Sequence, residues 1–284
     1  MNDIKDKIEE LKNFYNTRPE ISMAFVFGSY AKERQISESD IDIAVYFKPA
    51  GREIEWEEKK EYPGESKLWV ETERILGIDT DLVVLNRAPS GLASEILRTG
   101  IPIIIKDRGL YLRFWLLISS AAEDFREIIK DWWAIMERSH SLSEEDRHKL
   151  IRSVNFLQEE LKDIIKFKSI DQKEYEENRD KRRNLERWVE NITNSSIDIA
   201  KTILASERKI LPDTYEKILR SLNFFNEISE KTANNLGEFA KLRNLLAHEY
   251  LDLRFSKIKE FLASAEDLYG KLLEFSKKII NKEN

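Results

Sequence analysis

Residues 25–47 read FVFGSYAKERQISESDIDIAVYF, and this stretch decides the fold of the first part of the chain. An apolar run ending at Phe27 meets a small-residue turn, Gly28-Ser29. Ten residues further on, Asp40-Ile41-Asp42 opens a second apolar run that ends at Phe47. Both runs have the length and β-branched or aromatic content of strands. Successive strand residues face opposite ways, so Asp40 and Asp42 share one face. Two carboxylates on one side of a strand repel each other unless a cation lies between them. Mg²⁺ suits that position, because it takes hard oxygen ligands and substrate phosphates. Gly28 lets the backbone approach a phosphate closely, and Ser29 adds a hydroxyl and an N–H at the same point. A lone Asp-x-Asp would be an ordinary strand mouth. The whole pattern Gly-Ser-x10-Asp-x-Asp between two apolar runs points to nucleotide chemistry.

Outward from this stretch, short β-rich runs (SMAFVF, IDIAVYF, DLVVLN and IPIIIK) alternate with helical patterns over 2–15, 65–76 and 90–98. This predicts an α/β unit with a small mixed sheet over residues 1–108. Residues 51–66, rich in charge and carrying Pro63-Gly64, are expected to form an exposed loop or short helix beside the acidic site. Past residue 108 the strands stop. Amphipathic patterns over 109–138, 144–168, 174–206, 212–229, 232–249 and 255–281 predict an all-α bundle. The first of these is rich in aromatics and is expected to bridge the two halves, with 109–142 as connecting helix and linker and 143–284 as the helical domain. Ser143 and Asp146 are spaced as a capping box.

The chain of 284 residues is 41% hydrophobic and 35% charged, enough for two domains with real cores. It has no cysteine, so disulfides and thiolate metal sites are excluded. Residues 1–108 carry 16 Lys and Arg against 21 Asp and Glu, and residues 109–284 carry 31 against 32. Neither half is a broad basic surface for duplex nucleic acid. A local cluster at Arg179, Lys181, Arg182, Arg183 and Arg187, beside Trp188, reads first as a solvated helix face. The amphipathic N-terminus lacks the apolar core of a signal peptide, and no apolar run reaches the ~18 residues of a membrane span. The expectation is a cytoplasmic protein without membrane contact.

A second motif lies in AKLRNLLAHEYLDL, residues 240–253, where Arg243, His248 and Tyr250 follow one another at short spacing. A guanidinium holds phosphate oxygens, and an imidazole moves protons near neutral pH. Together they can act on a phosphodiester without a metal. On one regular helix Arg243 and His248 project about 140° apart, so two such helices brought together about a twofold axis would be needed for a tight pocket.

The first motif resembles the nucleotidyltransferases of the polymerase-beta superfamily, and most of all the minimal, antitoxin-type members (MNT). The resemblance covers residues 1–108. It implies Mg²⁺ and ATP as cofactors, Asp40 and Asp42 as metal ligands, and Gly28 and Ser29 on the phosphates. It also implies a third acid on a later strand. In GIDTDLVVLN both Asp79 and Asp81 compete for that role, and Asp81 is favoured because it directly precedes the apolar run Leu82 to Leu85. Many members have a glycine where this chain has Lys32-Glu33-Arg34.

The second motif and residues 144–282 resemble the HEPN superfamily and its HepT-like toxins, which carry Arg-x4-His-x-Tyr. That resemblance implies a homodimer through the helical half and an RNA substrate. It implies Arg243 and His248 as ribonuclease residues and Tyr250 as the hydroxyl that receives AMP from the partner nucleotidyltransferase. Ser196-Ile197-Asp198 lies on the family's long helix, where Asp198 would contact the active-site helix or serve a structural role. The chain is thus expected to be a fused antitoxin and toxin. A small-molecule nucleotidyltransferase of the aminoglycoside-modifying type and a non-catalytic nucleotide- or RNA-binding protein are the alternatives.

Overall fold

The computed structural model describes residues 2–31, 41–51, 54–243, 246 and 251–282. The chain divides into two compact units, Met1–Glu123 and Asp124–Asn284.

In the first unit the order is α1 (Asn2–Asn16), β1 (Ile21–Phe27), a single turn α2 (Gly28–Ala31), β2 (Ile41–Phe47), α3 (Glu65–Leu76), β3 (Thr80–Val84), α4 (Ser90–Thr99) and β4 (Ile101–Ile105). The strands form one mixed sheet in the order β3-β2-β1-β4. β1 is antiparallel to both β2 and β4, and β2 runs parallel to β3. Strand alternation divides the apolar residues between two layers. Ile41, Ile43, Val45 and Phe47 pack with Leu11 and Tyr15 of α1 and with Leu68 and Ile75 of α3. Ala44 and Tyr46 face the other way, into a cluster with Ala93 and Ile96 of α4 and with Leu110, Phe114 and Ile118 of the next helix, α5 (Arg108–Arg138). Asp42 and Asp81 alternate with the first set, so both belong to the α4 side of the sheet, at its edge.

The α1–α3 layer holds a buried polar pair. The Tyr15 hydroxyl lies 2.7 Å from Thr72 Oγ1, and Thr72 Oγ1 donates to the Leu68 carbonyl at 2.8 Å. Thr72 spends its proton on that carbonyl, so Tyr15 is the donor to Thr72. Burial pushes the Tyr15 phenol well above its ordinary value. Removing the two partners is therefore not equivalent. Tyr15→Phe deletes a donor and leaves Thr72 bonded, for a cost of about 0.5–1.5 kcal/mol. Thr72→Val strands a buried phenol and costs about 1–3 kcal/mol. Urea titrations of the two variants are expected to rank them in that order.

The segment expected beside the acidic site is instead folded against the opposite end of β2. The Tyr46 hydroxyl donates to the Glu55 carbonyl (2.9 Å), Trp56 Nε1 donates to the Ala88 carbonyl (3.2 Å), and Glu58 N–H donates to the Asn86 carbonyl (2.9 Å). Tyr62 stacks on Phe47 at 4.6 Å between ring centroids. The chain leaves β2 at Phe47, five residues beyond Asp42, or about 16 Å along a strand. The aromatic and backbone partners that capture the loop are all at that end.

The second unit is helical. The later part of α5 is followed by α6 (Glu144–Lys162), α7 (Ile164–Phe167), α8 (Gln172–Glu177), α9 (Arg179–Ser206), α10 (Tyr215–Arg220), a 3₁₀ turn at Ser221–Phe224, α11 (Glu230–Ala240) and the C-terminal helix Leu251–Asn281. Phe125, Trp132 and Ile135 of α5 share one core with α6, α9, α10, α11 and the C-terminal helix. Caps explain where the expected spans break. The single span 174–206 divides because Asp171 accepts the Glu174 N–H and Asn178 accepts the Lys181 N–H, so each residue starts its own helix. The span 212–229 holds only one short helix, capped by Thr214, before Phe225 becomes extended. Ser143 accepts the Asp146 N–H as the capping spacing required. No helix of the described residues is long and apolar enough to cross a membrane.

Candidate functional site

The site in the first unit is built where β1 ends and β2 begins. β1 delivers Phe27 opposite Asp42. The backbone then turns through Gly28, whose φ of 72° is a left-handed conformation that side chains disfavour. Gly28 is required for a second reason. A Cβ at this position would fall 1.9 Å from Asp42 Oδ2 and 2.8 Å from Asp42 Cγ, so the Asp42 carboxylate occupies the space that any side chain at 28 would take. Ser29 follows in the first turn of α2, half-buried.

The parallel ladder between β2 and β3 pairs Asp42 directly with Asp81. Paired residues in a ladder project to the same face, so two carboxylates stand side by side there, Asp42 half-buried and Asp81 exposed. Like charges placed opposite each other across strands destabilise a sheet. A divalent cation between them reverses the sign of that interaction. Asp79 precedes the strand, and it is its backbone carbonyl that accepts the Ile41 N–H, at 3.3 Å. Register thus joins Asp81, rather than Asp79, to Asp42. Asp40 lies outside the described residues, and among those that are described no group of three His, Cys, Asp or Glu is arranged for a metal ion. The residues present fit Mg²⁺ nonetheless: two oxygen donors are in register, and a glycine cradle is shaped around one of them.

In the second unit Arg243 lies against two residues distant in sequence. Its Nη2 donates to Asp124 Oδ2 at 2.7 Å. Its guanidinium carbon stands 4.7 Å from the centre of the Tyr215 ring. His248 and Tyr250 lie outside the described residues. Asp198 accepts from Lys201 Nζ at 3.0 Å, and the same ammonium reaches Asp131 on α5 at 2.9 Å. Among the described residues Asp198 thus serves a contact between α9 and α5, not one with Arg243. The basic cluster at the start of α9 is largely spent within the fold. Lys181 pairs with Glu174, Arg182 donates to the carbonyls of Tyr175 and Glu176, and Arg187 pairs with Glu190. Trp188 is core, its Nε1 donating to the Glu160 carbonyl at 2.7 Å. Asp124 and Tyr215 were not singled out from sequence. Neither stands near Arg243 along the chain, and no local spacing marks them.

Residues 9–109 match the family described as polymerase beta, nucleotidyltransferase, and residues 157–279 match the family described as ribonuclease HepT-like. The chain therefore joins a polymerase-beta-type nucleotidyltransferase domain to a HepT-like helical domain. Two similar solved structures are described as a toxin-antitoxin with AMP-PNP and as the toxin-antitoxin MntA-HepT. The first is 24% identical over 46% of this chain and 98% of its own, with a TM-score of 0.35. The second is 21% identical over 46% and 97%, with a TM-score of 0.33. No curated protein matches the chain.

Proposed function

We propose that the chain is a fused antitoxin and toxin. In this reading its first domain transfers AMP from ATP to Tyr250 and thereby silences a ribonuclease centred on Arg243 and His248. The observation that carries the first half is the register of Asp42 with Asp81 around Gly28. The presence of both domains in one chain supports the second half.

Asp42, Asp81 and Asp40 would hold Mg²⁺, which supplies charge neutralisation on the transferring phosphate. Gly28 and Ser29 present backbone N–H groups and a hydroxyl to the phosphate oxygens. The Tyr250 oxygen bonds to the α-phosphorus of ATP, the bond from that phosphorus to the bridging oxygen breaks, and pyrophosphate leaves as the phenol proton passes to solvent. Fusion holds the acceptor at an effective concentration on the order of millimolar. The new phosphodiester adds negative charge beside Arg243 and competes with RNA for its guanidinium. The helical half would bring two copies together, so that two Arg-His sets meet.

The test is intact mass with peptide mapping, on protein incubated with and without Mg-ATP. The expected result is a gain of whole AMP units on Tyr250, abolished by chelation and by Asp81→Asn but retained by Asp79→Asn. AMP appearing on a small hydroxylated compound and never on the protein would replace this reading with the small-molecule one. Nucleotide binding without any transfer would leave only an interaction role.

A further inference from the structure

The HepT-like match begins at residue 157, yet the carboxylate that holds Arg243 comes from Asp124, on a helix that precedes it. The part of α5 that belongs to the second unit carries a polar stripe. Asp124, Asp131 and Arg138 recur every seven residues, which places them on one face of a helix, two turns or ~10 Å apart. Each rung makes an ion pair with a different part of the bundle. Asp124 meets Arg243, Asp131 meets Lys201 of α9, and Arg138 meets Asp146 of α6. Phe125 and Trp132, one residue along from the first two rungs, are buried in the core. The position of Asp124 is therefore set by a packed helix and not by a loop.

The contacts around Arg243 follow from this. Asp124 binds one nitrogen, Nη2, through one oxygen. Phe125, the next residue of α5, packs edge-on against Tyr215 at 5.4 Å and 74°. Tyr215 in turn lies under the guanidinium. Two adjacent residues of α5 thus fix the guanidinium, one at its end and one through the ring beneath it. The remaining N–H groups of Arg243 meet no acceptor among the described residues, and its side chain is 21% exposed. A planar fork oriented in this way is ready to receive a phosphodiester without reorganising.

We infer that Asp124 is a positioning residue for the ribonuclease site: it orients the Arg243 guanidinium for the scissile phosphate from a helix outside the HepT-like segment. This rests on the reading of Arg243 as the phosphate-binding residue. The pair is half exposed on the Asp124 side, at 46%, so it contributes little to stability. Outer partners that orient the ligands of metal sites are worth about 10–100-fold in affinity or activity, and a loss of the same order is expected when the guanidinium loses its orienting carboxylate.

The experiment uses the full chain carrying Asp42→Asn, so that Tyr250 stays unmodified, and a single-stranded RNA oligonucleotide as substrate. Cleavage rates are measured against RNA concentration for this background and for added Asp124→Asn, Asp124→Glu, Tyr215→Leu and Arg243→Ala. Asp124→Asn is expected to lower kcat at least 10-fold, with KM within about 3-fold and Tm within about 2 °C. Asp124→Glu, which keeps the charge, is expected to recover most of the lost rate, and Tyr215→Leu to lower kcat in the same direction. If Arg243→Ala abolishes cleavage while Asp124→Asn cleaves at the background rate or faster, the positioning role is overturned and the ribonuclease reading stands. If the background cleaves no RNA, or Arg243→Ala cleaves as well as the background, the ribonuclease reading fails and this inference falls with it.

Discussion

Gly28→Ala is expected to abolish nucleotidyl transfer, lowering it at least ~100-fold, while leaving a folded protein. Two independent effects act at one methyl group. A residue with a side chain at φ 72° bears about 1–2 kcal/mol of backbone strain. Its Cβ would also lie 1.9 Å from Asp42 Oδ2, far inside any contact distance, so the carboxylate must move. Asp42 is held by strand pairing to Phe27 on one side and Asp81 on the other. Relief therefore comes through rotation of its side chain, away from the position that faces Asp81. A misplacement of about 1 Å at a reacting centre is enough for a 100-fold loss. The strain term alone corresponds to roughly 3–8 °C in Tm for a unit of this size. Gly91→Ala is the matched control. Gly91 lies in the first turn of α4, and a Cβ there meets nothing within 4 Å. In a helix alanine is favoured over glycine by about 0.5–1 kcal/mol. Mass-detected AMP transfer and calorimetry on both variants decide the matter. Gly28→Ala with activity within 3-fold of wild type would show that the Asp42 carboxylate is not the one the chemistry needs.

Much of this site was legible in the sequence, and the reason is local. Gly28, Ser29 and Asp42 follow from strand alternation and a turn, both of which operate over a few residues, whereas alternation leaves Asp79 and Asp81 on one face and it is the β2–β3 register that pairs Asp81 with Asp42. The four strands and the helices α1, α3, α4 and α5 fall where their apolar periods placed them, within two residues at either end. What periodicity did not reveal was the choice between a cap and a continuing helix. Asn178 could continue a helix or start one, and its side chain chooses the second by accepting the Lys181 N–H. The destination of residues 54–64 was hidden for a different reason. The segment is charged, but Trp56 and Tyr62 are drawn to Ala88 and Phe47, partners that only the folded sheet assembles at the far end of β2. The same holds for Arg243. Its spacing to His248 and Tyr250 is visible along the chain, whereas Asp124, 119 residues away, is brought to it by helix packing alone.

The largest effect on stability is expected at a position with no part in either chemistry. Asp146→Asn should lower the stability of the helical unit by roughly 2–3 kcal/mol at neutral pH, or about 5–10 °C. The Asp146 side chain is fully buried. Arg138 grips it along one edge, through Nε at 3.1 Å and through Nη2 on the other oxygen, and the Ser143 hydroxyl donates to it at 2.6 Å. This is the contact that fixes the end of α5 to the start of α6. An amide keeps the shape but presents hydrogens where the guanidinium needs an acceptor. The cost stays below the ~3–5 kcal/mol typical of a broken buried pair, because the Arg138 side chain is 26% exposed and Glu145 lies 3.7 Å from its Nη1. The nearby Lys149–Glu145 pair, both partners exposed, is the comparison: Lys149→Ala should cost no more than about 1 kcal/mol. The pH dependence separates charge from packing. Burial alone would raise the Asp146 carboxyl, but the hydrogen bonds from Arg138 and Ser143 and the attraction of Arg138 and Lys149 outweigh it and hold the group below the ordinary aspartate value. A carboxyl lowered in the folded state contributes its full stability above the unfolded value of about 3.9 and loses it as pH falls through the folded one. The gap between wild type and Asp146→Asn should therefore be constant from pH 7 down to about 5 and close below pH 4. A gap that stayed the same at pH 3 would assign the loss to packing in place of the ion pair.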